Sequence, residues 1–249
     1  VFFVYITLAT MEMIPIQTDV LRPPKDDLTR VLKQSLTNVQ EKDIILITSK
    51  VVSIHQGDCV PAGEVEKEVL VMKEAEAHIP SEHPAYSSPL TIKHHALFFA
   101  SGIDESNGNG HYILLPKDPF AAAQNLWRFI RNCFGVHDVG VIITDSHSLP
   151  LRYGVMGVSI AFCGFQPVVS HKGKRDLFGR EIRLSSTNIV DGLAAAGGVV
   201  CGECDETTPV VIARGVPGVV FTENDTREEL LIPPQEDLYY PLLKKFYGD

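Results

Sequence analysis

Short apolar runs that close on polar or acidic residues recur along this chain. The clearest is VGVIITD at 139–145, where five of the first six residues are apolar or glycine and the last is an acid. Its length and branched side chains predict a buried strand, with Ser146, His147 and Arg152 just beyond it. DIILITSK at 43–50 has the same form and ends on Thr48, Ser49 and Lys50. HALFFASGIDESNGNG at 95–110 is another apolar run, ending on Asp104 and Asn107. Segments 11–16, 157–164, 165–170 and 208–216 also read as strands.

Helical spacing appears between these runs. Leu28, Val31, Leu32 and Leu36 follow Asp26 and Asp27, which predicts a capped helix to about Val39. A charged helix is expected over about 64–78, followed by the loop-like IPSEHPAYSSPL at 79–90. Asp118-Pro119 opens a helix to about Cys133, which carries Trp127 and Phe129 as core or dimer contacts. VDGLAAAGGVVCGE at 190–203 reads as an Ala-rich helix stopped by glycines, and a short helix is expected near 242–247. Strands and helices interleave, so the predicted class is α/β, with mixed α+β sheets. One domain is expected over 1–249, with a variable segment at 60–92 that divides it into two subdomains.

Composition narrows the function more than the fold. The chain has 249 residues, 45% hydrophobic and 21% charged, which is ordinary globular composition. A net charge of −9 and a pI near 5.5 argue against nucleic acid or anionic membrane as a partner. Five scattered cysteines form no disulfide framework, so a cytoplasmic location is expected. Cys201-Gly-Glu-Cys204 is the one C-x-x-C pair. It has no partner at zinc-finger spacing, so it reads better as two small residues around a functional Gly-Glu. VFFVYITLAT at 1–10 lacks a basic leader and is shorter than the ~20 residues of a membrane span. It is read as an edge strand or an overrun ahead of Met11, with a cleaved signal peptide as the alternative.

Asp104 and Asp145 follow apolar runs, and Glu203 sits in a Gly-flanked turn. A carboxylate at such a place loses part of its water and needs a cation or hydrogen-bond donors to stay ionised. Convergence of all three would build a hard-oxygen site for Mg²⁺ or Mn²⁺, ions that often meet carboxylates together with substrate phosphates. Taken singly, each acid is as readily a turn former or helix N-cap. The chain contains no P-loop G-x-x-x-x-G-K-[ST] and no Rossmann G-x-G-x-x-G. Gly197, Gly198 and Gly202 are left as backbone donors for phosphate, or as packing and helix-stop residues. HKGKRD at 171–176, with Arg180 and Arg183, suits an anionic substrate tail or a solvated hairpin. Nine histidines raise a zinc hydrolase, but H-E-x-x-H and G-x-S-x-G are both absent.

Several segments, in this order, resemble the coenzyme F420-0:gamma-glutamyl ligase family: ITSKVVS (47–53), ASGIDESN (100–107), LLPKDP (114–119), VGVIITD (139–145), RYGVMG (152–157), KRDLFGREI (174–182), VDGLAAAGGVVCGE (190–203) and PVVIARG (209–215). The resemblance implies the family's own α/β fold and a homodimer. It implies a nucleotide-dependent amide ligase that uses GTP, with ATP as the alternative, and adds L-glutamate to a carboxylate through an acyl phosphate. The implied acceptor is a deazaflavin, with folate-like acceptors left open. Two Mg²⁺ or Mn²⁺ ions are implied, with K⁺ as a further candidate. Carried over residue by residue, Asp104 and Asp145 hold one metal, and Ser146 and Glu203 the other. Nucleotide contacts fall on Ser49, Lys50, Asn107 and the stretch Cys201 to Thr208, above all Cys201, Gly202, Glu203, Thr207 and Thr208. Asp145 and Arg152 are the implied catalytic pair.

The chain also departs from the family pattern. His147-Ser148-Leu149 replaces the usual residues after the metal-site hydroxyl, and Ile54 stands where the family has a lysine. The family's early L-P-x-I loop is not evident in QTDVL at 17–21. These departures leave a second expectation open, a homologue that binds nucleotide without turnover. A metallohydrolase is the third.

Overall fold

The computed structural model describes residues 10–248. The expectation for the apolar N-terminal run falls on 1–9, outside the described residues. In chain order the elements are β1 (Glu12–Ile16), α1 (Leu28–Ser35), β2 (Ile44–Thr48), α2 (Ser49–Gln56), β3 (Cys59–Pro61), α3 (Lys67–Glu74), β4 (Ala77–Ile79), β5 (Leu90–Lys93), β6 (Ala96–Phe99), β7 (His111–Ile113), α4 (Pro119–Phe134), β8 (Gly140–Ser148), β9 (Val155–Cys163), β10 (Val168–Ser170), β11 (Ser186–Asn188), α5 (Ile189–Cys201), β12 (Val210–Arg214) and α6 (Tyr240–Leu243). This is the mixed α/β class that the apolar pattern predicts.

A five-stranded sheet in the order β1-β12-β2-β8-β9 forms the centre. Only its β2–β8 pair is parallel. Strand alternation decides which core each side chain joins. Ile45 and Ile47 of β2 pack with Leu28, Val31 and Leu32 of α1, Val51 and Val52 of α2, and Leu126 and Ile130 of α4. Ile44 and Leu46 face the other way, with Val190 and Leu193 of α5. The sheet therefore lies between two helical layers. Smaller sheets β3–β7 and β4–β5–β6, with α3, build the part of the chain over 59–113. This includes the variable segment.

Local chemistry fixes several boundaries. Asp27 caps α1 by accepting from the Thr29 and Arg30 N–H groups. The helix stops at Ser35 rather than Val39, because Leu36 turns extended while its side chain stays buried. Asp118 caps α4 through the Ala121 N–H, as the Asp-Pro pair predicts. Trp127 of α4 is core, its indole N–H donating to the Val139 carbonyl at 2.8 Å.

Other readings need correction. The polar residues Ser49 and Lys50 do not simply end a strand; they form the first turn of α2. The 64–78 helix is shorter, over Lys67–Glu74, and then gives way to β4. The apolar run at 95–110 includes the second strand of the β5–β6 hairpin. His94 and His95 form that hairpin's turn in left-handed backbone. Among the described residues, no helix is long and apolar enough to cross a membrane.

Candidate active site

Register brings four separate segments to one edge of the central sheet. β2 and β8 run parallel with Thr48 opposite Thr144, so the residues beyond them lie side by side. β12 is antiparallel to β2, and its start meets the end of β2, where the Thr48 N–H donates to the Pro209 carbonyl at 3.0 Å. β1 is antiparallel to β12, so the loop after Ile16 arrives at the same edge. That loop is tied down by the Thr18 N–H, which donates to the Thr207 carbonyl at 2.9 Å. The carboxyl ends of parallel strands are the usual ligand edge of an α/β sheet.

A cavity of 350 Å³ opens there. Ser49, Lys50, Asp104, Asn107, Asp145, Ser146, Cys201, Gly202, Glu203, Thr207 and Thr208 all line it. Arg152, expected beside Asp145, lies elsewhere. β8 continues three residues past Asp145 to Ser148, and the turn to β9 leaves Arg152 exposed, donating to the Leu151 carbonyl at 3.0 Å. The cavity also takes in Asp205 and Glu206 of the 201–208 stretch, and Thr18 and Asp19, which the sequence reading did not single out. Thr18 and Asp19 belong to the 17–21 segment in which no family loop was evident. The topology, not a motif, puts them in the cavity.

Among the described residues six acids line the cavity, Asp19, Asp104, Asp145, Glu203, Asp205 and Glu206, against one cationic side chain, Lys50. Asp145 sits at the floor. Burial pushes its carboxyl up to about 7, against hydrogen bonds from the Ser146 N–H and the Ser49 hydroxyl; the nearby Asp104 charge adds to the rise and Lys50 offsets part of it. Burial also acts to raise Asp104, but the Lys50 ammonium and the two Ser106 hydrogen bonds together outweigh it and hold that carboxyl below its ordinary range. The ammonium is 2.5 Å from the Asp104 carboxylate. Partial burial raises Glu203, with Lys50 opposing and Asp104 and Glu206 adding to the rise.

The three acids share the cavity but do not form one ligand cluster. Among the described residues, no three histidine, cysteine, aspartate or glutamate side chains gather closely enough to hold a metal ion. The three acids expected to converge do reach one cavity, spread round its wall. That distribution, with Asp145 disfavoured as a bare anion, suits hard cations that take one or two carboxylates each and complete their shells with phosphate and water.

The loop at 202–208 is held from several sides. Asn107 donates to the Cys204 carbonyl at 2.7 Å, and the Thr208 hydroxyl donates to the Cys201 carbonyl at 2.7 Å. The Glu206 carboxylate accepts from the Cys204 N–H at 2.9 Å. Cys201 is no ready thiolate, because burial pushes it up to about 11, helped by Glu203 and Glu206. Of the helix glycines, Gly197 serves packing, while Gly198 packs and also lines the cavity. A Cβ on Gly197 would come within 2.5 Å of Leu46, and Gly198 lies against Gly157 of β9. Gly202 ends α5 at a φ of 72° and borders the cavity.

The substituted positions are also placed. Ile54 is buried and lines the cavity. His55 faces the start of α1, where its Nδ1 accepts from the Leu28 N–H at 3.2 Å, so it does not replace a cavity cation. His147, which follows Ser146 along β8, is not among the residues that line the cavity. Burial lowers its pKa, and among the described residues no hydrogen bond joins its ring to Ser146.

Comparison with known proteins agrees with this geometry. The family model described as F420-0:Gamma-glutamyl ligase matches residues 15–215. The protein named Coenzyme F420:L-glutamate ligase from Methanothermobacter thermautotrophicus is 32% identical over 213 residues, covering 79% of this chain and 84% of that protein. The protein of the same name from Methanococcus maripaludis is 35% identical over 216 residues, 80% of this chain and 86% of that one. Its namesake from Methanopyrus kandleri is 42% identical over 142 residues, and there the match spans 56% of each chain.

Proposed function

The chain belongs to the F420-0:gamma-glutamyl ligase family, and from that premise we propose that it is a nucleotide-dependent amide ligase adding L-glutamate to a carboxylate acceptor. The observation that carries this reading is the cavity's charge: six acids and one lysine where the parallel strands end. Such a cavity repels a bare polyphosphate and accepts one neutralised by divalent cations. Asp104 with Asp145, and Ser146 with Glu203, would hold two Mg²⁺ or Mn²⁺ ions, which supply the positive charge that phosphoryl transfer needs. K⁺ is a further candidate, and GTP is preferred over ATP.

In the proposed reaction an acceptor carboxylate oxygen attacks the terminal phosphorus. The bond to the bridging oxygen breaks, and the nucleoside diphosphate leaves. The amine of glutamate then attacks the acyl phosphate carbon and loses a proton, and inorganic phosphate departs with the C–O electron pair. The chain's own groups orient these partners. The N-terminus of α2 presents the Ser49 and Lys50 backbone N–H groups to phosphate. The Ser49 hydroxyl and Ser146 N–H fix the Asp145 carboxyl. Asn107 fixes the loop that carries Glu203.

A deazaflavin is the proposed acceptor, as the family resemblance implies, with a folate-like acceptor as the alternative. A homodimer is proposed as well. Leu151, Tyr153, Leu177 and Phe178 are each at least 95% exposed, apolar side chains of the kind a second copy would cover. Arg152 stands between the first two in sequence.

Ile54 in the cavity wall favours one second reading, a homologue that binds nucleotide without turnover. Incubation with GTP or ATP, Mn²⁺, L-glutamate and each acceptor separates the cases. Phosphate release that requires both acceptor and glutamate supports the ligase. Binding without release on any acceptor supports the second reading. Cleavage that needs neither supports a hydrolase.

A further inference from the structure

Among the described residues, Lys50 is the one cation lining the cavity, and it is already committed. Its Nζ lies 2.5 Å from Asp104 Oδ2 and donates to the Ser106 carbonyl at 3.0 Å and the Ser106 hydroxyl at 3.2 Å. Ser106 donates its N–H and hydroxyl to Asp104 Oδ1 at 2.9 and 2.7 Å. Both oxygens of Asp104 are thus occupied by donors from this chain. A divalent cation bound to a carboxylate oxygen sits about 2.1 Å from it. An ammonium cannot stay on the same oxygen, since the two positive groups would repel each other at close range. The Lys50 side chain is 25% exposed, and a long unbranched stem gives it room to leave.

We propose that Lys50 is a placeholder for the divalent cation at Asp104, displaced when the cation binds and then delivered to the nucleotide phosphates. The inference rests on the ligase reading of this cavity and adds an order to it. Metal comes to Asp104 at the expense of the Lys50 contact. The freed ammonium then favours phosphate, so metal and nucleotide each tighten the other's binding. Lys50 becomes a positioning residue that reports whether metal is present.

The test uses the whole chain, stripped of metal with EDTA, without nucleotide. Mn²⁺ affinity is read by electron paramagnetic resonance for the parent, Lys50→Gln and Lys50→Arg. Removing the ammonium should tighten Mn²⁺ binding about tenfold, the size of one charge-assisted hydrogen bond. Arginine keeps the charge and grips carboxylate with a fork, so Lys50→Arg should bind Mn²⁺ more weakly than the parent. Independently, reductive methylation of the parent, read by mass spectrometry at Lys50, should speed up severalfold on adding Mg²⁺ and slow again on adding nucleotide. Mn²⁺ binding that is equal in all three proteins, with Lys50 labelling unmoved by Mg²⁺, overturns the placeholder role and leaves the metal-site reading intact. No Mn²⁺ binding in any protein, with or without nucleotide, overturns both.

Discussion

Thr48 and Thr144 stand opposite each other in the parallel β2–β8 ladder. Everything chemical about the cavity follows from that pairing. It sets Ser49 beside Asp145, and the antiparallel neighbours β12 and β1 bring the 202–208 and 17–21 loops to the same edge. The fold thereby gathers acids more than a hundred residues apart in sequence around one volume.

Asp145 should report on that gathering through pH. Its carboxyl moves from an ordinary 3.8 to about 7 in the folded chain, chiefly by burial. The folded state then holds a proton that the unfolded state has lost, so stability falls as pH rises from about 4 to 7. Below that window the penalty is absent. In EDTA, Asp145→Asn should therefore match the parent at pH 4 and exceed it by roughly 1–3 kcal/mol at pH 8. The same variant should lose metal-dependent nucleotide binding. Thermal melts across pH and a nucleotide titration check both halves.

Gly157→Ala should be severely destabilising. A Cβ at Gly157 would meet the Ala194 carbonyl oxygen at 2.1 Å, backbone against backbone, where α5 crosses β9. The helix must shift, at a cost of about 2–4 kcal/mol, and the cavity wall at Cys201 shifts with it. Chemical denaturation of the variant measures the loss.

The buried Asp43 carboxylate takes a two-pronged grip from Arg214, at 2.8 and 2.7 Å. This ties β12 to the start of β2. Asp43→Ala leaves the guanidinium without its partner and should cost about 3 kcal/mol by urea unfolding. Nucleotide affinity at temperatures where the variant stays folded should change little, because the pair stands at the opposite end of β2 from the cavity.

Asn107→Ala should show the reverse pattern. It removes the 2.7 Å bond to the Cys204 carbonyl and frees the loop carrying Glu203. Melting should fall only slightly, while nucleotide affinity measured with Mn²⁺ should weaken about tenfold.

The sequence carried the strand cores and the capped helix α4 well, because apolar alternation and an Asp-Pro start are local signals. It did not reveal α2. Ser49 and Ser53 are buried there beside Val51, Val52 and Ile54, so the helix shows little contrast between its faces. The β5–β6 hairpin was hidden because its turn is His94-His95, held in left-handed backbone without a glycine. At the site, the acids were visible as strand-end residues, but their spacing was not. That spacing depends on strand order, and strand order is not written in any one segment. Arg152 was misplaced for the same reason. Pairing with β9 extends β8 past Asp145, and only a partner strand reveals that.

The central claim is that Asp104 and Asp145 share a divalent cation that carries the nucleotide's phosphates. Crystals soaked with Mn²⁺ and GDP, with anomalous scattering recorded at the manganese edge, test it most directly. The account predicts a peak about 2.1 Å from a carboxylate oxygen of each residue, with the Lys50 ammonium moved off Asp104. A bound nucleotide with no anomalous peak between those two carboxylates would contradict it.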